Sequence, residues 1–116
     1  MSHPLADPEL EVDTDHTARA LAGGAQVVDV REGYEREAGH IPGTRHIELE
    51  RLASEAATID RERPVIFYCR LGARSLMAAQ AFRRAGFDAY SMAGGIQSWA
   101  DEARTLQPAH GRVADH

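Results

Sequence analysis

The sequence predicts a single α/β domain built on a mainly parallel sheet, and three observations carry this. The length of 116 residues is that of one domain, sufficient to bury a core without staples. Short apolar runs rich in β-branched residues alternate with stretches of helical apolar spacing, the pattern of repeated β-α units. One such unit is complete in residues 65–86: an unbroken apolar strand, a tight loop holding the single cysteine, and a helix ending at a glycine.

Residues 1–8 hold two prolines and no periodic pattern, and residues 107–116 are similarly irregular. Both are expected to be flexible tails around a domain spanning 9–106. Asp13 or Thr14 caps a first helix through Leu21, which Gly23-Gly24 ends, and Val27 to Val30 follow as a buried strand. Residues 32–38 suit a short polar helix, broken by the turn signals from Gly39 to Gly43 around Pro42. Ile47, Leu49, Leu52, Ala53 and Ala56 recur at near-helical spacing, predicting a helix over about 48–57. Pro64 introduces the strand Val65 to Tyr68, apolar throughout and so suited to a central position covered on both faces. From Ser75, the spacing of Leu76, Ala79, Phe82 and Ala85 predicts a helix ended by Gly86. Phe87 to Met92 reads as a strand, Gly94-Gly95 as a close turn near the cysteine loop, and Ile96 to about Ala103 as a last helix with Trp99 facing inward.

Composition removes several functions. All 13 basic residues are arginine, and neither lysine nor asparagine occurs, so Schiff-base chemistry and a P-loop lysine are impossible. A net charge of −5 argues against nucleic acid as a partner, which needs a basic face. No stretch approaches the roughly 20 apolar residues of a membrane span, and no secretory signal pattern opens the chain. A cytoplasmic location is expected. The six histidines form no Cys/His cluster with ligand spacing, so no metal and no cofactor are expected.

The chemistry points to Cys69-Arg70-Leu71-Gly72-Ala73-Arg74-Ser75. The thiol lies at the carboxyl end of a strand and the entrance to a helix, where open α/β sheets bind ligands. Unpaired N–H groups at a helix N-terminus stabilise an anion, and Arg70 and Arg74 add two cations, a setting that favours the thiolate. Gly72 permits a left-handed turn that brings loop amides toward the sulfur, and Ser75 is expected to cap the helix. A lone cysteine after an apolar strand is otherwise commonly an inert core residue. The two flanking arginines distinguish this one.

This loop resembles the active-site loop of the rhodanese family in its Cys-Arg-x-Gly-x-Arg-Ser form. Three further segments match in order: Asp29-Val30-Arg31-Glu32, Gly39-His40-Ile41-Pro42-Gly43 before Ile47, and Gly86-Phe87 followed by Gly94-Gly95 and Trp99. The resemblance implies a three-layer α/β/α fold around a mostly parallel five-stranded sheet. It also implies that Cys69 accepts a sulfane sulfur from thiosulfate or a persulfide, holds it as a persulfide, and passes it to cyanide or a thiol. Arg70, Leu71, Gly72, Ala73, Arg74 and Ser75 would bind the small anionic donor. With one cysteine in the chain, the acceptor thiol must be external, on a small molecule or a protein.

A phosphatase or arsenate reductase of the same fold is the nearest alternative; the related phosphatases, which also use a Cys-to-Arg loop, enclose five residues between Cys and Arg. Here only four lie between Cys69 and Arg74, a ring sized for sulfur. A non-catalytic binding module is the other alternative, against which stand the cysteine and both loop arginines. Asp29 and Arg31 are expected to support the site through an ion-pair network that fixes adjacent loops, although alternation along a strand does not require them to face each other. His40, in a turn, is expected to support the site from behind by donating to a backbone carbonyl. Arg61-Arg63 and Arg83-Arg84 read as solvated faces. Leu71 stands where the family often has a polar or small residue, giving the loop an apolar rim suited to an organic persulfide.

Overall fold

The computed structural model describes residues 9–116; the expected tail at 1–8 lies outside them. Five strands form one sheet in the order β1-β5-β4-β2-β3, and every pairing is parallel. They are β1 (Glu11–Val12), β2 (Gln26–Asp29), β3 (Arg45–His46), β4 (Val65–Tyr68) and β5 (Ala89–Met92). The helices are α1 (Thr14–Ala22), α2 (Gly33–Ala38), α3 (Leu52–Glu55), α4 (Ala73–Arg84) and α5 (Gly95–Asp101). Among the described residues no helix is long and apolar enough to cross a membrane.

The period-2 alternation of strands divides the core into two faces. Val28, Val30, Val65, Phe67 and Cys69 join Ala78, Ala79 and Phe82 of α4 on one. Val27, Ile66, Tyr68 and Met92 join Ile96 and Trp99 on the other, under α1 and α5. Phe82 anchors the first face, meeting Phe67 edge-on at 5.0 Å and Phe87 at 4.7 Å between ring centroids. Trp99 faces inward as the sequence predicts, its indole N–H donating to the Thr105 carbonyl at 2.9 Å.

Three expectations change. The two outer strands, β1 and β3, are two residues long, too short for any periodic signal; neighbouring strands define them, as when Ser91 and Ala93 N–H groups donate to Leu10 and Val12 carbonyls. The helix expected over 48–57 is a 3₁₀ turn (Leu49–Arg51), the single turn α3, and a second 3₁₀ turn (Ala56–Thr58). The tighter turns still bring Leu49, Leu52 and Ala56 onto the core, so the apolar spacing was met by another helix type. Residues 107–116, expected to be a flexible tail, pack on the domain. Gln107 exchanges both backbone hydrogen bonds with His40 at 2.8 Å, the Arg112 N–H donates to the Ala38 carbonyl at 2.8 Å, and Ala114 is buried. These partners are nonlocal, which is why local sequence reading found nothing to hold the segment.

The topology positions one crevice. From β2 the chain passes outward to β3, and from β4 it passes the other way to β5. The carboxyl ends of β2 and β4 therefore border a topological switch point, where ligands of parallel α/β sheets bind. Cys69 follows β4 directly, and α2 and α4 begin on either side.

Candidate active site

Cys69 is 1% exposed, and its Sγ accepts the Gly72 N–H at 3.1 Å. Gly72 makes this possible by taking φ +118°, a left-handed conformation that favours glycine, as the N-cap of the 12-residue helix α4. The sulfur thus sits at the positive end of a helix, hydrogen-bonded by a backbone amide. Gly94-Gly95 closes the loop from behind, as expected of a turn near it. The N–H groups of Ile96 and Gln97 donate to the carbonyls of Cys69 (2.9 Å) and Arg70 (3.1 Å). Gly95, at φ +61°, lies so near these carbonyls that a Cβ would overlap the Arg70 oxygen.

Ser75 does not cap α4; it lies inside the helix, fully buried, with its hydroxyl 3.5 Å from Cys69 Sγ, 3.2 Å from the Gly72 carbonyl and 2.7 Å from Ser91 Oγ. A hydroxyl carries one proton and two lone pairs, so Ser91 can donate to Ser75 while Ser75 donates onward to the sulfur or the carbonyl. Ser91, fully buried on β5, escaped sequence reading because a serine in a strand carries no signal until its neighbour is known.

The two loop arginines are less exposed to a ligand than their positions suggest. Arg74 makes a bidentate pair with Glu35 of α2, at 2.8 and 3.0 Å, and Glu35 is fully buried. Burial alone would raise the Glu35 carboxyl, but the Arg74 hydrogen bonds, the Glu32 backbone N–H and the Arg74 charge hold it below its ordinary value. Arg74 is correspondingly raised, first by its hydrogen bond to Glu35. Glu35 was missed because its partner lies 39 residues away. Arg70 points the other way, 3.3 Å from Asp115.

Asp29 and Arg31 do face each other. The strand ends at Asp29, and the chain then folds so that Asp29 Oδ1 accepts both the Arg31 backbone N–H (3.0 Å) and Nε (2.9 Å), with Nη2 to Oδ2 at 2.8 Å. Both are fully buried. Arg31 also donates to the Gly39 carbonyl at 2.8 Å, and Arg36 ties Asp29 to Thr44. The pair fixes the turn between α2 and β3. His40 places Nδ1 3.2 Å from the Arg36 carbonyl, and burial, with the nearby Arg36 charge, lowers its pKa. Its partners are Arg36 and Gln107 rather than the Cys69 loop. Arg61, Arg63 and Arg84 are exposed, as read, and Arg83 is half-buried; Arg61, Arg63 and Arg83 also donate to the carbonyls of Ala85, Gly24 and Ala89.

A cavity of about 310 Å³ opens over the sulfur, lined by Cys69, Arg70, Leu71, Ala73, Arg74 and His116. Leu71 is 56% exposed at its rim. Glu32, Glu35 and His116 cluster beside it with ligand atoms within 4.8 Å, but both Glu35 oxygens are taken by Arg74, and Glu32 and His116 face each other at 3.0 Å beside a guanidinium.

These elements define a parallel α/β domain that presents a cysteine at a switch point, on a loop closed by a helix N-terminus. The rhodanese-like domain family matches residues 14–102, and the chain belongs to that family. It is 34% identical over 106 residues to the thiosulfate sulfurtransferase GlpE of Pseudomonas aeruginosa, covering 90% of this chain and 93% of the relative. A rhodanese-related protein from Thermoplasma volcanium superposes with a TM-score of 0.78 at 25% identity, over 84% of this chain and 96% of that one. A Rhodopseudomonas palustris protein described as a possible tyrosine phosphatase superposes at 0.74 over 92% and 99% of the two chains; at 20% identity it shares the fold alone.

Proposed function

We propose that this chain is a sulfurtransferase that carries a sulfane sulfur on Cys69 from thiosulfate or a persulfide to an external acceptor. The observation that carries the reading is the Gly72 N–H, 3.1 Å from Cys69 Sγ at the start of α4. That donor stabilises negative charge on the sulfur.

In the first half-reaction the Cys69 thiolate attacks the outer sulfur of thiosulfate. A new S–S bond forms, the old one breaks, and its electron pair leaves with sulfite. Cys69 then carries a persulfide anion. In the second, a thiolate or cyanide attacks the terminal sulfur and takes it as a persulfide or thiocyanate, returning the Cys69 thiolate. Ser75, relayed by Ser91, supplies a second hydrogen bond toward the sulfur. The chain holds no other cysteine, so the acceptor comes from outside. The cytoplasm, where thiols are kept reduced, is the expected setting.

Intact-mass measurement after exposure to thiosulfate, beside Cys69→Ser, tests this. One added sulfur on the wild type alone, removed by cyanide, is the expected result. Absence of the adduct with every sulfane donor, together with hydrolysis of an aryl phosphate, would replace sulfur transfer with phosphatase chemistry; absence of both activities would leave a binding module.

A further inference from the structure

From the segment 107–116, His116 lines the Cys69 cavity from outside the loop. The Arg112 backbone lies so close to Gly39 that a Cβ there would overlap it, Ala114 is buried, and the Tyr34 hydroxyl donates to the Asp115 carbonyl at 3.0 Å. His116 Nε2 stands 3.0 Å from Glu32 Oε2. These contacts hold Asp115 Oδ1 3.3 Å from Arg70 Nη2.

Each cation at the mouth therefore already faces a carboxylate: Arg74 faces Glu35, and Arg70 faces Asp115. Glu32 lies nearby, its Oε2 already facing His116 Nε2. Thiosulfate brings two negative charges and competes with Asp115 for Arg70. A persulfide anion brings one, meets about half the repulsion, and can rest its organic part on Leu71. Asp115 is 97% exposed and is held to Arg70 by a single ion pair, so it biases the cavity without sealing it. Arg70 retains hydrogen-bonding capacity, since its Nε is buried with no hydrogen-bond partner among the described residues.

Resting on the sulfurtransferase reading, we propose that Asp115 is a specificity-determining residue that biases the Cys69 site against dianionic thiosulfate and toward singly charged organic persulfides. It acts by occupying Arg70.

The test is steady-state kinetics at low salt, with cyanide as acceptor and either thiosulfate or the persulfide of 2-mercaptoethanol as donor. Asp115→Asn should lower KM for thiosulfate about three-fold at unchanged kcat, with a smaller drop for the persulfide. Asp115→Glu should stay near the wild type, and added salt should shrink the difference. An unchanged or raised thiosulfate KM in Asp115→Asn, or equal shifts for both donors, overturns the proposal while leaving sulfur transfer intact. A wild type that takes sulfur from neither donor overturns both readings.

Discussion

Two bidentate carboxylate–guanidinium pairs stand at the carboxyl ends of adjacent strands, and they do different work. Asp29 and Arg31 are two residues apart, fully buried, and make further contacts to the Gly39 carbonyl and Arg36. Glu35 and Arg74 are 39 residues apart, join α2 to α4, and leave the Arg74 side chain 18% exposed in the wall of the Cys69 cavity. The first pair holds the frame of a turn. The second couples two halves of the crevice and faces the Cys69 cavity.

The largest expected effect breaks the first pair. Asp29→Ala leaves the Arg31 guanidinium buried and uncompensated, and should cost about 3–5 kcal/mol in urea denaturation, because a buried charge has lost its partner. Sulfur transfer should fall only in step with the folded fraction. Loss of turnover in a fully folded Asp29→Ala protein would place this pair in the chemistry and erase the contrast.

Glu35→Gln should cost less, about 2 kcal/mol, since Arg74 keeps access to water. The Glu35–Arg74 double-mutant cycle should show coupling, and KM should change more than kcat because Arg74 lines the donor cavity. The pair also predicts a pH signature. The Glu35 carboxyl is held below its ordinary value of 4.5 in the folded protein, so its stabilisation is complete above that pH and is lost as pH falls through the depressed folded value. Wild type and Glu35→Gln should differ at pH 7 and converge in acid; a constant gap would show that the carboxylate charge is not what stabilises.

The smallest effect concerns Ser91, which belongs to neither pair. Ser91→Ala removes one partner of Ser75 and should cost about 1 kcal/mol, slowing Cys69 alkylation by about two-fold without altering the response to either pair. A larger loss of reactivity than Cys69 suffers in Glu35→Gln would rank the hydroxyl relay above the ion pair.

The same contrast explains what the sequence disclosed. β4, Cys69 and α4 are contiguous, so apolar run, loop and helical spacing appeared in order, and Gly72 marked the left-handed turn. The Asp29–Arg31 pair was visible as a motif, but its geometry was not, because alternation applies only while a strand continues and this one stops at Asp29. Glu35, Ser91 and Asp115 lay beyond reach for one reason: each becomes part of the site through a partner 16 to 45 residues distant. Ser75 fits a cap by residue type, yet Gly72 occupies that position and releases the hydroxyl toward the sulfur.

The α5 amides that grip the Cys69 and Arg70 carbonyls give the loop a mechanical property. With Gly95 packed against those carbonyls, a side chain at this position would push the loop out of place. In the proposed transfer the added sulfur would project outward into the cavity, with the Gly72 N–H directed at Cys69 Sγ throughout. On that reading the loop is a preorganised socket, its amide already aimed by folding at the atom where charge gathers.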